Sequence, residues 1–509
     1  MITRTTLPST LYTAEQSRAL DRQATEVFGI PGFRLMQRAG HAVFAVIQQQ
    51  WPELKRLTLL CGTGNNGGDG LIVAGLAQQQ GLEVQVLTFG DLPYADQLRG
   101  EALEAWRWAA AVGVATQPWS AQLELNGEVI VDAMLGTGVR GEVRGCVRDA
   151  IIKLNHQSRP VVAVDIPSGL CSDTGQVLGV AVKAAITLTF IGVKQGLLTH
   201  EGVNYCGSLR FDSLRVPDEL YERVPVSAFR TDQDDLQELL PARQRSAHKG
   251  CFGHLLVVGG GLGLGGAALM AAQSAARSGS GLVSLATRHE HVVAALTRLP
   301  EVMALAVGSG QEVVPMLEQA SVVVAGPGLG NSAWADQLMQ QVLNSAKPQV
   351  LDADALNYLV TATDRYSHRR VITPHPGEAA RLLGCSVSEV QQDRFAAVKA
   401  LQLRFGGTVV LKGAGSLTFD GDVIHLCSAG NPGMASGGMG DVLSGIIGAL
   451  MAQGLKPIDA ARLGVYAHAV AADRCVAGSG ERGLLATDLI LEVRRVLNGL
   501  GEQVIDRKC

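Results

Sequence analysis

None of the nine cysteines pairs into a C-x-x-C, no run of Lys and Arg forms a basic tract, and no apolar stretch approaches bilayer length. Each absence excludes something. Scattered thiols fit small core residues in a reducing compartment rather than a disulfide framework. A formal charge of −4 spread over 509 residues offers nothing to neutralise a phosphate backbone, so nucleic acid is disfavoured as a partner. The apolar run Ile446–Met451 falls far short of the roughly 20 residues a membrane helix needs. The first fifty residues are interrupted by Arg, Glu and Gln and show no signal-peptide core. A soluble, cytoplasmic chain with no membrane partner is therefore expected. The phosphate-binding pattern G-x-x-x-x-G-K-[ST] is missing too: the glycine run Gly259–Gly266 carries no lysine.

Glycine is abundant, at 61 residues, and clusters at the ends of apolar runs. With 47% hydrophobic residues the chain is globular, and its length allows more than one core. Thr13–Gln50 reads as helical, with Leu35, Met36, Ala39, Val43 and Ile47 at three-to-four spacing. If exposed, that apolar stripe would mediate homo-oligomer formation. Strand-like runs follow (RLTLLC, LEVQVLTF, EVIVDAML, PVVAVDI, AAITLTFI and SLRF), with helix-like segments such as Leu71–Gln80 and Ala95–Ala111 among them. This alternation predicts an α/β fold with a mostly parallel sheet covered on both faces. The pattern fades across the charged, Pro-bearing stretch 216–249, which places a domain boundary near Glu222–Val226. A second series then begins: HLLVVGG, LVSLAT, SVVVAGPGLG, PQVLDADAL, RVITPHPGE and TVVLKGAGS, closing on a long helical pattern, Gly440–Cys475. Two different α/β domains are expected, 1–223 and 224–509.

CGTGNNGGDG, residues 61–70, contains G-x-G-x-x-G after a strand, and Asp91 closes the next strand-like run. A dinucleotide turn is the first reading. Against it, Asp69 would stand where the helix dipole should face a pyrophosphate. Asn65, Asn66 and Asp69 instead offer oxygen ligands at a strand end. Asp132 leads into a second glycine loop, Gly136–Gly141, and Asp165 and Ser168 sit at a third strand end. Oxygen donors without His or Cys suit a hard cation, and few carboxylates suit a monovalent one. Taken singly, each loop could equally be a turn or a helix cap.

GNNGGDG, DAMLGTG and DIPSG, preceded by LMQRAG, resemble the epimerase domain of the NAD(P)H-hydrate repair enzymes, over roughly Leu11–Val216. The resemblance implies a Rossmann-like three-layer domain. It implies that Asn65, Asn66, Gly67, Gly68 and Asp69, with Gly136, Thr137, Gly138, Val139, Arg140, Gly141, Glu142 and Asp165, hold the hydrated nicotinamide nucleotide. It also implies that Asn66, Asp132 and Ser168 hold a potassium ion. Where the family usually has Glu-Asn, this chain has Gln37-Arg38.

In the second half, NPGMASGGMGDVLSG places Gly437, Gly438 and Gly440 before an apolar helical run, with Asp441 directly after. Free backbone N–H groups at a helix N-terminus make an anion hole. A carboxylate beside it can act as base for a substrate hydroxyl. Lys412 in KGAGS could meet phosphates, and TPHPGE holds His375 between two prolines. His289 and His291 read as surface residues of a helix start. The G-x-G-D arrangement resembles the ribokinase-like superfamily. KGCFGHLLVVGGG, GPGLG, DADALN, TPHPGE, KGAGS and NPGMASGGMGD together resemble its ADP-dependent NAD(P)H-hydrate dehydratases, over about Lys249–Leu497. The resemblance implies adenine-nucleotide contacts at Lys412, Gly413, Ala414, Gly415, Ser416 and Gly440. It implies substrate contacts at Ala267, Gly326 or Gly328, His375 and Asp441.

Together the halves imply repair of NADHX and NADPHX, the hydrates of NADH and NADPH. One domain epimerises the R and S forms through Asp132; the other dehydrates the S form with ADP, giving AMP and phosphate, through Asp441. Magnesium is expected with the nucleotide on chemical grounds. Three readings compete. They are a ribokinase-like vitamin or sugar kinase fused to a cation-binding partner domain, a non-catalytic nucleotide-sensing module, and a redox dehydrogenase.

Overall fold

The computed structural model describes residues 7–90, 93–234, 239–361 and 367–499, so Asp91 lies outside the described residues. The chain divides into two compact units, Met1–Phe229 and Arg230–Cys509; the sequence places the boundary at residue 223. Both are α/β, as the alternating pattern requires.

The first unit is built on an all-parallel sheet. Its order is Thr116–Pro118, Glu83–Thr88, Arg56–Cys61, Val129–Ala133, Val161–Val164, Ile186–Phe190, Ser208–Asp212. The central strands are buried on both faces, Leu57, Leu59, Leu60, Ile130 and Val131 among them, because crossover helices cover both sides. Strand order reverses between Arg56–Cys61 and Val129–Ala133, and their C-terminal ends open the crevice where α/β sheets bind ligands.

The expected N-terminal helix is two helices. Ala14–Arg22 starts on a Thr13–Gln16 capping box and runs into a short π-helical turn, Gln23–Val27. Gly29, at φ +64°, and Pro31 then separate it from Gly32–Gln50. The stripe expected to drive self-association is turned inward: Leu35, Met36, Ala39, Val43 and Ile47 are buried in the unit's own core. The expected helix at Leu71–Gln80 begins earlier, at Asn65. Asn65–Gly70, read as a loop, is its first turn and a half. The glycines there serve close approach. A Cβ on Gly67 would lie 1.9 Å from the Gly62 carbonyl oxygen, and one on Gly70 2.6 Å from the Ala133 Cβ. The segment Ala95–Ala111 is likewise broken, into Tyr94–Gln97 and Gly100–Ala111.

In the second unit the order is Met303–Ala306, Leu282–Thr287, His254–Val258, Val322–Ala325, Gln349–Leu351, Arg370–Ile372, Thr408–Leu411, all parallel. Ser416–Phe419 and Ile424–Cys427 continue it antiparallel. The long helical pattern resolves into Met439–Ala452 and Pro457–Val476, parted by Gly454 at φ +99° and the N1 proline. The first of these lies against Gly265–Arg277 so closely that a Cβ on Gly445 would come 2.1 Å from the Ala271 carbonyl oxygen. Among the described residues, no helix is long and apolar enough to cross a membrane. The eight described cysteines are all unpaired.

Candidate active sites

In the first unit the strand ends surround a cavity of about 980 Å³. Asn65, Asn66, Asp69, Gly136, Thr137, Gly138, Val139, Arg140 and Asp165 all line it. Gly67, Gly68, Gly141 and Glu142 do not: the first two are consumed in helix packing, and Glu142 turns outward to Arg144.

Asp132 and Ser168 lie beneath that surface. Asp132 is fully buried, and its carboxylate accepts from the Ser168 N–H at 2.7 Å, the Ser168 hydroxyl at 2.6 Å and the Met134 N–H at 3.3 Å. Burial pushes its carboxyl up to about 6, against the opposing effect of the Ser168 bonds. The Ser168 hydroxyl also accepts from the Leu135 N–H, while Asn66 Nδ2 donates 2.9 Å to the Leu135 carbonyl. The Asn66 Oδ1 is left buried without a hydrogen-bond partner. An orphaned buried oxygen on an amide joined through Leu135 to the Ser168–Asp132 pair fits a hard cation.

Two groups that sequence reasoning missed also face this cavity. Lys194 is 2% exposed and forms an ion pair with Asp165. Asp21 reaches the cavity from the helix Ala14–Arg22. The lone lysine in the apolar context GVKQG was the available sign for the first; a heptad-like helix hid the second. Asp165 itself stands at φ +64°, an uncommon conformation for a residue with a side chain.

In the second unit Gly438, at φ +93°, caps the helix Met439–Ala452, which opens the expected N–H groups and puts Asp441 in the first turn. Lys412 lies directly below: a Cβ on Gly440 would approach its Nζ to 3.2 Å and the Asp352 Oδ2 to 3.3 Å. Lys412 donates to Asp352 at 2.8 Å and stands 3.7 Å from Glu378. Ser444 donates to the other Asp352 oxygen at 2.6 Å. The lysine expected at phosphates is thus anchored by two carboxylates, one of them Asp352 from DADALN, a residue with no role assigned from sequence. Burial, then the Asp352 carboxylate, pushes Asp441 up to about 7. The Lys412 N–H bonds the Pro374 carbonyl, joining KGAGS to TPHPGE. Gly413 and Gly415 take φ of +139° and +66°, and Ser416 closes the turn onto Gly413.

His375 caps the helix Pro376–Leu383, its Nδ1 accepting from Gly377 at 3.0 Å, with the ring half exposed. Gly328 and Ala267 adjoin, a Gly328 Cβ falling 3.1 Å from that of Ala267. Gly326 packs on the Asp352 carbonyl. His291 is not a simple surface residue: its Nε2 meets the Gly261 carbonyl at 3.0 Å, fixing the glycine loop, whereas His289 is exposed. Among the described residues no group of three or more His, Cys, Asp or Glu is arranged to hold a metal ion.

Residues 32–196 match the family described as the YjeF-related protein N-terminus, and residues 255–495 that described as NAD(P)H-hydrate dehydratase. A bifunctional NAD(P)H-hydrate repair enzyme from Coxiella burnetii is 47% identical over 96% of this chain and 99% of its own. The enzyme of the same name from Escherichia coli is 44% identical over 97% and 95%. A ribokinase-like superfamily protein from Enterococcus faecalis superposes with a TM-score of 0.50 at 29% identity, covering 53% of this chain and 95% of that one. With identity of this level across both units, the chain belongs to the family of bifunctional NAD(P)H-hydrate repair enzymes.

Proposed function

We propose that residues 1–223 epimerise, and residues 224–509 dehydrate, the hydrates of NADH and NADPH, and that the two reactions together return both epimers to the reduced coenzyme. The observation that carries this is the pairing of an oxygen-lined cavity at a strand-order reversal with a carboxylate in the first turn of a glycine-capped helix.

In the dehydratase, Asp441 takes the proton of the C6 hydroxyl, and the freed oxygen attacks the β-phosphorus of ADP. AMP departs. The N–H groups around Gly440 and the Lys412 ammonium offset charge on the transferring group. Phosphate then leaves C6 with the push of the ring nitrogen, and loss of a C5 proton restores the double bond. Lys412–Ser416 and Gly440 would hold the nucleotide; Ala267, Gly326 or Gly328, and His375 would hold the substrate. Asp352 and Glu378 share the single charge of Lys412, and a magnesium ion would be supplied with the nucleotide. ADP is the donor expected.

In the epimerase, Asn66, Asp132 and Ser168 would hold potassium, which would supply a fixed positive charge. Of the two roles expected of Asp132, ion ligation suits its position better than proton transfer to a substrate, since it does not line the cavity.

The test uses an epimeric mixture of NADPH hydrate, following the return of dihydronicotinamide absorbance with no nucleotide, with ADP and with ATP. Complete ADP-dependent recovery is expected. Recovery halting near one half would remove the epimerase; none with either nucleotide would favour the small-molecule kinase.

A further inference from the structure

With Asp132 set beneath the cavity, an epimerase built on the first unit lacks a group to move protons at the cavity surface. Of the carboxyls on the cavity wall, Asp21, Asp69, Glu101 and Asp165, two stand in contrasting surroundings. The Asp165 Oδ1 accepts from the Thr189 hydroxyl at 3.0 Å, from the Phe190 N–H at 3.1 Å and from the Lys194 ammonium. Lys194 is itself oriented by the Thr189 hydroxyl at 3.2 Å and the Phe190 carbonyl at 3.1 Å. Three donors converge on one oxygen, which leaves Oδ2 as the oxygen that can turn to a ligand. The strand end that presents it is held at positive φ, strain of the kind that persists where the surroundings over-determine a working geometry.

Asp69 stands one turn into the helix Asn65–Gln79 and faces the same cavity without such donors. Burial, then the charges of Asp165 and Asp21, push its carboxyl well above the ordinary value, with only Lys194 opposing. Asp21, which lines the same cavity, is exposed and is flanked by Arg18 and Arg22 on its own helix. One carboxyl held by an ammonium and two further donors, facing one cavity with a second that has none of these, can divide the roles of base and acid.

Resting on the epimerase reading of this unit, we propose that Asp165 is the base and Asp69 the acid of epimerisation, with Lys194 a positioning residue that pins Asp165. The Asp165 Oδ2 takes the proton of the C6 hydroxyl. The O–H electron pair becomes the second bond of a C6 carbonyl, and the N1–C6 bond breaks with its pair going to N1, which takes the Asp69 proton. The ring is now open, with a planar aldehyde carbon. Rotation about C5–C6 turns its other face to N1. Closure reverses every transfer: N1 attacks C6, its proton returns to Asp69, and Asp165 gives its proton to the oxygen. Nothing is oxidised, reduced or hydrolysed, and the carbon centre is inverted.

The experiment follows recovery of the hydrate mixture by the full chain with ADP, which runs in a fast phase for the reactive epimer and a slow phase for the other. The fast phase is the internal control. Asp165→Asn and Asp69→Asn are each expected to cut the slow-phase kcat by about 10²–10⁴-fold toward the spontaneous rate, with the fast phase intact. A residue that only holds the nucleotide would raise KM and spare kcat, and that result overturns the assignment. Infrared difference spectra between the wild type and Asp69→Asn should show a protonated-carboxyl stretch at neutral pH; its absence also overturns it. For Lys194, Lys194→Met should lower kcat and Lys194→Arg should restore part of it. Because Lys194→Met leaves the partly buried Asp165 carboxylate without its ammonium, the charge-free double variant Asp165→Asn with Lys194→Met is the check on folding. A folded double variant with wild-type slow-phase kcat overturns the proposal. If the unaltered chain shows no slow phase above the spontaneous rate, the epimerase reading itself fails, which is a separate outcome.

Discussion

Asp441 is one carboxyl whose setting decides what it can do. Lifted to about 7 by burial and by Asp352 behind it, it is only part-ionised at neutral pH. A base must be unprotonated, so kcat/KM for dehydration should fall as pH drops below about 7 and level off above; a flat profile between 6 and 8 would separate Asp441 from proton transfer. Asp441→Ala should cost about 10²–10⁴-fold in ADP-dependent dehydration. Epimer interconversion, read by chromatographic separation of the two forms, should be unchanged. Lys412 makes a different case. Replacing it by Met would strand the Asp352 carboxylate, which is 1% exposed, at about 3–5 kcal/mol. That loss should appear as a lowered unfolding midpoint as well as lost activity. At this scale sequence reading proposed Asp441 by type and position, and the structure puts it in the first turn of the glycine-capped helix. Sequence reading did not find Asp352, Glu378 or Ser444, because they gather around Lys412 only in space, from one strand end and two helices.

Glycine in the element Asn65–Gln79 shows how packing overrides local preference. Gly67, Gly68 and Gly70 each disfavour helix by about 1 kcal/mol relative to Ala, and so the stretch reads as a loop. The helix forms because its first turn must lie against Gly62 and Ala133, where no side chain fits. Gly67→Ala raises intrinsic helix preference yet should destabilise the first unit by about 1–3 kcal/mol, the cost of overpacking. Calorimetry and circular dichroism would register the fall, with slow-phase epimerisation lost. An unchanged or raised midpoint would mean that helix propensity, not close approach, governs the segment. The same holds where Gly445 crosses the helix Gly265–Arg277. Helix starts in this protein are legible from the first apolar residue only when no glycine precedes it for packing reasons.

Each unit of the whole molecule has its own buried core. Leu59 belongs to that of the first and Leu450 to that of the second, both fully buried. Leu→Ala at such a site costs about 2–5 kcal/mol. Leu59→Ala should therefore weaken epimerisation first on heating, and Leu450→Ala dehydration first, with the other activity surviving to a higher temperature. Loss of both at one temperature in either variant would mean that the units unfold together.

The alternation of strands and helices, the existence of two α/β units and the residue types at both strand-end sites were set by sequence alone, though not the strands Thr116–Pro118, Met303–Ala306, Ser416–Phe419 and Ile424–Cys427. Alternating apolar periods and glycine-bearing strand ends are local properties, readable without neighbours. The tertiary structure decided which of those residues share a surface. It put Asp132 and Ser168 below the cavity and Asp165 on it, turned the N-terminal apolar stripe into core, and brought Lys194 and Asp21 to the same site. Burial and charge pairing depend on what lies opposite in space, and in this chain the opposing residues are separated by tens to more than a hundred positions.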